Sequence, residues 1–368
     1  MKKKSTAVVL LLFSFLLIWS CKKDEEEEDP IDTNPPVATP PVNVDMAAMP
    51  YAKLSDYHFF KGTMKALVPN DRVLPYDVIT PLFSDYAHKK RFVWMPEGVK
   101  ATYVAEGKEF SYPNGAVIIK NFYYDHVLPE NTTKIIETRI MYRKDDVWHF
   151  ADYVWNEDQT EATFDLAGKN VPLTWIDDDG VERSTTYQIP AEAECFTCHK
   201  YFNVAAPIGT KARTMNKDYA YSDGIKNQLD KWIEVGYLED NLPASINTVI
   251  DWKDTSQPIE MRVRSYVDMN CAHCHRDGGH CDYRPLRMAF EETTNEANLG
   301  VCVTPQEQFS PILSHIIARG NVQRSMLYYR LNTTVEQYRM PLIGRTMIHT
   351  EAVEMFNEYI SGLSPDCP

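Results

Sequence analysis

Two copies of one pentapeptide, C-x-x-C-H, constrain this chain more than any other feature of its sequence. The first copy is CFTCH at residues 195–199 and the second is CAHCH at residues 271–275. Thiols three positions apart can each add to one vinyl group of a porphyrin, while the adjoining imidazole ligates the iron. We therefore predict two covalently attached haem c groups, each holding one iron. The attachment residues are Cys195, Cys198, Cys271 and Cys274, and the proximal iron ligands are His199 and His275.

Two other chemistries also use a C-x-x-C pair. A thioredoxin-like redox pair requires a strand before it and a helix after it, and a zinc site would recruit both pairs into one four-cysteine cluster. Neither explains why histidine follows at once in both copies. Haem attachment is therefore the preferred interpretation, with zinc and disulfide chemistry as the alternatives.

Residues 1–21 have the layout of a bacterial secretion signal. Three lysines precede an apolar run from Ala7 to Trp19 that is too short for a comfortable membrane span. Cys21 follows this run directly, which predicts a lipoprotein signal whose cysteine is diacylated and becomes the mature N-terminus. An ordinary cleaved signal is the alternative. Both interpretations place the chain outside the cytoplasm, where haem c is attached.

Residues 22–50 are acidic at first and then rich in Pro, Thr and Asn, which predicts a solvated tether. An acidic run behind a lipidated cysteine resembles an export signal, so we expect a lipid-anchored protein at the outer membrane, facing the periplasm or the cell surface. A charged spacer is the plainer alternative. The net charge of −14 argues against a nucleic-acid partner. No later apolar run approaches about 18 residues, so we expect no transmembrane segment in the mature chain.

Residues 51–190 alternate short aromatic and β-branched runs with turn residues and contain no haem motif. This pattern predicts a β-rich domain, with the last two strands joined as a hairpin through the turn at 177–180. The predicted strands span 116–124, 134–143, 147–156, 162–166, 171–176 and 181–189.

Beyond Pro190 the apolar spacing becomes helical. Ile225, Leu229 and Trp232 fall on one helix face, another helix leads into Cys271, and a last helix follows Thr350. We therefore predict two mainly α-helical, cytochrome c-like haem modules at 191–255 and 256–368. The whole chain is then an α+β multidomain protein, with the β-rich domain first.

The second axial ligand decides what each iron can do, because two strong ligands make an electron carrier and an open position permits ligand or peroxide chemistry. For the second haem the candidate is Met340, in a loop ahead of the terminal helix. For the first haem it is Met215, although the loop from the motif to this residue is short. Donors from the β-rich domain, His126 or His149, and an open iron are the alternatives. Either methionine could instead fill a hydrophobic core.

Three cysteines lie outside the haem motifs and the signal. Cys281 and Cys302 flank the loop behind the second motif, and in an oxidising compartment we predict that they form a disulfide. Cys367 is then left over near the C-terminus.

Several strings together resemble one known family over nearly everything after the tether. They are 75–77 (PYD), 82–86 (LFSDY), 90–94 (KRFVW), 136–139 (IETR), 227–229 (NQL), Asn270, 340–341 (MP) and 344–345 (GR), with both haem motifs. The chain resembles the bacterial dihaem c-type cytochromes of the SO2930/HNE_0200 type, which are secreted proteins. The resemblance implies two haems and export but no substrate. Where Met215 stands the family usually has Leu, so no ligand role carries over to it.

These observations favour an electron-transfer protein that passes electrons to and from redox partner proteins. One alternative is a haem enzyme, peroxidase-like or oxidase-like, with an open site at the first haem. The other is a redox module coupled to a β-rich domain that binds a partner or a carbohydrate. We assign no catalytic residue from the sequence.

Overall fold

An antiparallel sheet of eight strands is the largest element of the computed structural model, which describes residues 39–367. The strands are β1 (Phe60–Lys61), β2 (Val68–Pro69), β3 (Leu74–Tyr76), β4 (His88–Trp94), β5 (Val117–Val127), β6 (Thr132–Lys144), β7 (Val147–Trp155), β8 (Ala162–Phe164), β9 (Lys169–Ile176), β10 (Glu182–Ile189), β11 (Lys200–Tyr201), β12 (Val204–Ala205), β13 (Asp218–Tyr221) and β14 (Gly224–Asn227). The helices are α1 (Glu192–His199), α2 (Ala212–Met215), α3 (Gln228–Glu234), α4 (Ile259–Asn270), α5 (Glu296–Leu299), α6 (Met326–Leu331) and α7 (Thr350–Gly362). Single 3₁₀ turns occur at Leu54–Tyr57, Met64–Ala66, Glu292–Thr294 and Val322–Arg324.

The predicted strands of the β-rich region are confirmed to within a few residues. The strand order is β10-β9-β5-β6-β7-β8, with β4 beside β5 and β3 beside β4. The predicted hairpin of β9 and β10 forms around Asp177, whose carboxylate accepts backbone N–H bonds from Asp179 (3.0 Å) and Val181 (2.8 Å). An Asp side chain that closes its own turn in this way explains why the sequence signal was strong here.

The two faces of the sheet are covered by different parts of the chain. One face packs on the N-terminal segment, where Tyr57 and Tyr153 are fully buried and share a hydroxyl hydrogen bond of 2.7 Å. Met49, from the described end of the predicted tether, joins this core. The opposite face packs on the segment that follows the first haem motif, through residues such as Trp232. The sheet is therefore the middle layer of the N-terminal two thirds of the described chain.

The segment around the second haem motif has a core of its own. This core contains Trp252, Val263 and Phe356, and all its buried members come from residues 252–360. Helices α4 and α7 contribute most of the helical residues of this core, because apolar residues recur along both helices at helical spacing. Both helices were predicted, and both are confirmed.

The predicted fold class, in which two mainly α-helical cytochrome c-like modules follow the β-rich domain, is wrong. Between 191 and 255 the chain forms two β-hairpins, and its helices α1, α2 and α3 have only 8, 4 and 7 residues. Ile225, which we expected on a helix face, lies in strand β14 and is 76% exposed. Between 256 and 367 only α4 and α7 exceed ten residues, with 12 and 13. The helices of these two regions were predicted from too few apolar positions. Short loops and turns form the remainder of both regions.

The described residues form one compact unit. The segment that carries the first motif, residues 191–255, therefore belongs to the same unit as the sheet on which it packs. Within the described residues, no helix has the length and apolarity needed to cross a membrane. The predicted signal, the predicted lipidation site Cys21 and the acidic part of the predicted tether lie outside the described residues.

Candidate functional site

The first motif forms the last turns of helix α1. The helix begins after Ala191, whose backbone N–H donates to the Glu194 carboxylate (2.9 Å), and the acidic first turn favours the helix dipole. The hairpin of β11 and β12 then turns the chain back, so that the Ala206 carbonyl lies 2.8 Å from His199 Nδ1. With Nδ1 donating to this carbonyl, Nε2 is the free ligand nitrogen. Burial lowers the pKa of His199 to about 4, which keeps the imidazole neutral, the form that ligates iron.

The second motif follows helix α4 directly. The backbone N–H groups of Cys274 and His275 donate to the Cys271 carbonyl, at 3.1 and 2.9 Å, and this turn holds the pentapeptide compact. Asn270, the residue before the motif, accepts the Phe83 N–H (2.8 Å), which ties the motif to a loop of the β-rich region. Burial lowers the pKa of His275 to about 4, so this imidazole is also neutral.

One cavity collects the donors that were predicted for the second haem. It has a volume of about 260 Å³ and is lined by Cys271, Cys274, His275 and Met340. Apolar side chains make up much of the remaining wall, including Leu286, Met288, Ile316 and Leu327. His275 Nδ1 is buried and has no hydrogen-bond partner among the described residues. Two thiols, an imidazole and a thioether around a mostly apolar cavity fit the attachment and axial ligation of a c-type haem.

The two motifs meet in space, which the sequence did not predict. The donor atoms of Cys198, His273 and Cys274 all lie within 4.8 Å of one another. The turn after the first motif contacts the loop after the second, where Phe202 N–H donates to the Gly278 carbonyl (2.6 Å). The two motifs are therefore neighbours in the fold, although Cys198 and Cys274 are 76 positions apart in the sequence.

The alternative of a four-cysteine zinc cluster receives partial support from the same geometry. The set that converges contains two thiols and one imidazole, and Cys195 and Cys271 do not belong to it. His273, the histidine inside the second motif, is 6% exposed, and its Nδ1 has no partner among the described residues. Three such donors are a plausible zinc ligand set in chemical terms, so zinc binding must be tested beside haem attachment.

The candidates for the sixth ligand of the first haem lie in less suitable places. Met215 is fully buried in the core between the sheet and α3, as its low exposure and its partner Trp232 indicate. His126 is exposed near the β5–β6 turn, with Nδ1 2.9 Å from Asn131 Oδ1. His149 stacks on Tyr142 at a ring distance of 5.2 Å.

His149 also faces away from the first motif. Its neighbour Phe150 has its ring centroid 5.3 Å from that of His199. Because successive side chains of a strand point to opposite faces, His149 lies on the other face of β7. The β-rich region therefore supplies an aromatic contact to His199, and neither of its two candidate histidines lies against that imidazole.

The predicted Cys281–Cys302 disulfide is wrong. Cys302 is bonded instead to Cys367, with a Cα–Cα distance of 5.3 Å that suits a disulfide. The chain after α7 returns beside residues 317–320, where Gly320 N–H donates to the Ile360 carbonyl (3.0 Å), and this brings the C-terminus to Cys302. Cys281 lines the cavity of the second motif, and its N–H donates to the Cys274 carbonyl (3.0 Å). Nearness in sequence was a poor guide to the pairing.

A row of charged side chains crosses the sheet, and it was not predicted from the sequence. Arg91, Lys120, Arg139 and Asp152 are directly opposite one another on β4, β5, β6 and β7, and we call them the charged row. The signal was present, because charged residues interrupt strands that are otherwise apolar and aromatic. It could have been recognised only with the strand register in hand.

No family model, curated protein or solved structure matches this chain. The arguments for its function therefore come from its own residues and their arrangement.

Proposed function

We propose that this protein is a dihaem c-type cytochrome that transfers electrons outside the cytoplasm. The observation that carries the proposal is the convergence of the two C-x-x-C-H motifs, with Cys198 and Cys274 donor atoms within 4.8 Å. Haem attachment also accounts for the histidine that ends each pentapeptide, which a zinc site does not require. Two haem attachment sites in contact give electrons a short path from one iron to the other.

The residues of the second cavity have distinct tasks in this proposal. Cys271 and Cys274 anchor the haem, while His275 and Met340 supply an imidazole and a thioether to its iron. A bound haem c supplies a one-electron iron couple. Imidazole and thioether ligation favours a six-coordinate carrier. The apolar wall around the haem excludes water, which destabilises the more positive, oxidised iron relative to the reduced iron.

Both proximal histidines are prepared for ligation by their surroundings. His199 is oriented by the Ala206 carbonyl at 2.8 Å and by the ring of Phe150, which fixes the tautomer that leaves Nε2 free. His275 is half-buried with its Nδ1 fully buried, its imidazole is neutral because its pKa is lowered to about 4, and no described residue bonds to its Nδ1.

We further propose that the protein is lipid-anchored through Cys21 at the outer membrane, facing the periplasm or the cell surface, and exchanges electrons with redox partner proteins. The support is the secretion signal, the cysteine that follows it and the resemblance to secreted dihaem cytochromes. The net charge of −14 favours a partner with a basic docking surface.

The second candidate is a haem enzyme, peroxidase-like or oxidase-like, whose open site is the first haem. One observation favours it: Met215 is fully buried in a hydrophobic core, so nothing assigns it to the iron held by His199. An iron with a single protein ligand can bind a small molecule. In this version the β-rich region would bind a substrate or a partner beside that iron.

The test is to express the protein in a bacterium that matures c-type cytochromes and to measure haem by the pyridine haemochrome assay. We expect two haems per chain and no stoichiometric zinc. Electron paramagnetic resonance of the oxidised protein then separates the candidates: two low-spin signals support the carrier, and a high-spin signal supports the open-site enzyme. Zinc in place of haem would overturn both.

A further inference from the structure

The charged row lies on a sheet face that is otherwise built for apolar packing. On this face the neighbouring row toward the first motif consists of Val93, Ile118, Met141 and Phe150, which are directly opposite one another on the same four strands. The row on its other side contains Lys89, Phe122, Glu137 and Val154. Side chains two positions apart on a strand share a face, so all three rows belong to one surface.

Three cations are adjacent across the strands of the charged row. Arg91 faces Lys120, and Lys120 faces Arg139. Like charges directly opposite each other in a sheet are destabilising, and half-burial makes their repulsion stronger than in water. Matching carboxylates, loss of the lysine proton or a bound anion can each relieve this repulsion.

The protein's own carboxylates match only part of this charge. Arg91 Nη1 lies 2.5 Å from Asp77 Oδ1, and Arg139 Nε donates to Glu137 Oε2 at 2.9 Å. Glu137 also accepts the Tyr187 hydroxyl at 2.6 Å. Both arginines thus have acidic partners.

The two lysines have none among the described residues. Lys89 Nζ donates only to the backbone carbonyl of its neighbour Ala87, at 2.7 Å. Lys120 has no hydrogen-bond or ion-pair partner in the described chain. Burial and the charges of Arg91 and Arg139 lower the pKa of Lys89 to about 7, and the same causes, together with Lys89 itself, hold the pKa of Lys120 well below its usual range. Without an anion beside them both lysines lose their protons readily, and an anion that binds here would restore their charge.

The remaining acid of the row does not compensate it. Asp152 Oδ2 is 4.0 Å from Arg139 Nε, and neither of its carboxylate oxygens has a hydrogen-bond partner among the described residues. Burial and the nearby charge of Glu137 raise the pKa of Asp152 well above its usual range. A neutral Asp152 can donate a hydrogen bond instead of neutralising a cation.

The cations converge on one point and are open enough to be reached. Lys89, Lys120 and Arg139 lie 5.9, 5.1 and 4.3 Å from the centre of the Phe122 ring, which is itself buried. The Arg139 side chain is 30% exposed, and both lysines are half-buried. The ring forms an apolar floor, and the three cationic groups surround it.

This surface lies next to the first haem motif. Phe150, which contacts the His199 ring, is two residues from Asp152 on the same face of β7. Cys195 is close enough for the charges of Arg139 and Asp152 to act on its thiol, although burial is the main cause that raises its pKa to about 12.

We infer that Lys89, Lys120 and Arg139 form a binding site for a carboxylate or other small oxyanion beside the first haem motif. The ligand accepts charge-assisted hydrogen bonds from the three side chains around the Phe122 ring and keeps both lysines protonated. The carboxylate has two sources, a propionate of the first haem or a free organic acid or oxyanion. Only the first source rests on the proposed function.

The test uses the mature holoprotein, with acetate and inorganic phosphate as probes in titration calorimetry. Lys120→Gln is the main variant, and Lys89→Gln is a second one in case the first does not fold. Lys90→Gln is the matched control, because Lys90 lies on the same strand as Lys89 but on the opposite, exposed face. If the anion is free, wild type and the control bind a probe, and both test variants bind it about tenfold or more weakly.

If the anion is a haem propionate, neither probe binds, and the test variants instead lower the midpoint potential of one haem. Removal of a cation favours the more positive, oxidised iron, so the direction of the shift is fixed. Measurement in a Cys271→Ser/Cys274→Ser background assigns that shift to the first haem. Lys120→Arg should restore the potential.

The inference is overturned if no probe binds and the potential is the same in wild type, Lys120→Gln and Lys89→Gln. A protein that binds acetate through Lys120 but contains no haem would contradict the proposed function and leave this site standing. The two proposals can therefore fail separately.

Discussion

The two motif-bearing segments carry the same pentapeptide in different surroundings. The first segment has no core of its own: Met215 and Trp232 are buried together with residues of the sheet. The second segment buries Trp252, Val263 and Phe356 in a core drawn from residues 252–360 alone. The two segments share a motif and differ in whether a core of their own surrounds it. The second segment packs around a core of its own, while the first depends on the sheet.

Removal of the thiols of the first motif should give the largest effect. It tests directly whether the second segment can hold its haem without the first. In the Cys195→Ser/Cys198→Ser variant we expect one haem per chain, with the spectrum of the second haem unchanged, because the second cavity uses residues 270–343 with only Thr197 and Cys198 from the first motif. The pyridine haemochrome assay and the visible spectrum report both quantities. Loss of both haems in this variant would show that the second haem site does not form without the first.

A pair of buried aromatic residues tests the difference between the cores. Trp232→Ala and Phe356→Ala should each lower the free energy of unfolding by about 3–5 kcal/mol, because both side chains are fully buried. Only Trp232→Ala should also reduce the hydrogen-exchange protection of strand β5, since Trp232 shares a core with the sheet. An equal loss of hydrogen-exchange protection in β5 in both variants would mean that the two cores unfold as one cooperative unit.

The two methionines separate ligation from packing. Met215→Ala should cost about 2–5 kcal/mol of stability, because a fully buried side chain is truncated, and should leave both haem spectra unchanged. Met340→Ala, at the cavity of the second motif, should change the spectrum of one haem and cost less stability, because its side chain is only half-buried. Denaturant unfolding and visible spectroscopy measure the two effects. A spectral change in Met215→Ala would restore that residue as a ligand.

The disulfide belongs to the second segment alone. Replacement of Cys302 and Cys367 by Ser should destabilise the protein by about 2–4 kcal/mol, since the bond closes a long loop in the unfolded chain. The effect should appear in the unfolding of the second segment and spare the sheet. In the mature holoprotein, thiol titration after denaturation should find Cys281 as the free cysteine. A free Cys367 would contradict the observed pairing.

The effect that is smallest at neutral pH concerns the contact between α7 and the loop before β4. His349 stacks on Phe83 at 4.0 Å, and its Nδ1 lies 3.0 Å from the Tyr266 hydroxyl. Burial lowers its pKa from 6.5 to about 3. The unfolded chain therefore binds this proton more readily, so stability is intact above about pH 6.5 and declines as the pH falls toward about 3. His349→Gln should flatten the stability profile in that window, and an unchanged profile would exclude this residue as its cause.

The strands and the two long helices could be predicted because their signals are local. Alternating apolar residues and the Asp177 turn define β9 and β10, and helical spacing over more than ten residues defines α4 and α7. The region between 191 and 255 lacked such signals. Its hairpins have strands of two to four residues, too short for any periodicity to emerge.

Most of the candidate site was predictable as residues but not as an arrangement. The two motifs predict the attachment cysteines and the proximal histidines, and the loop ahead of the terminal helix predicts Met340 as a ligand. The structure places Cys271, Cys274, His275 and Met340 around one cavity. The contact between Cys198 and Cys274, the disulfide to Cys367 and the charged row each join positions that are distant in sequence. Such contacts depend on how the chain closes its loops and on the register of the sheet, and neither is encoded in a local pattern.

The most direct test of the central claim is the mass of the denatured mature protein, followed by peptide mapping and zinc analysis. We predict a mass larger than that of the polypeptide by two haems, with one haem on the peptide that contains Cys195 and Cys198 and one on the peptide that contains Cys271 and Cys274. An unmodified polypeptide, or one that carries zinc in place of haem, would contradict the account.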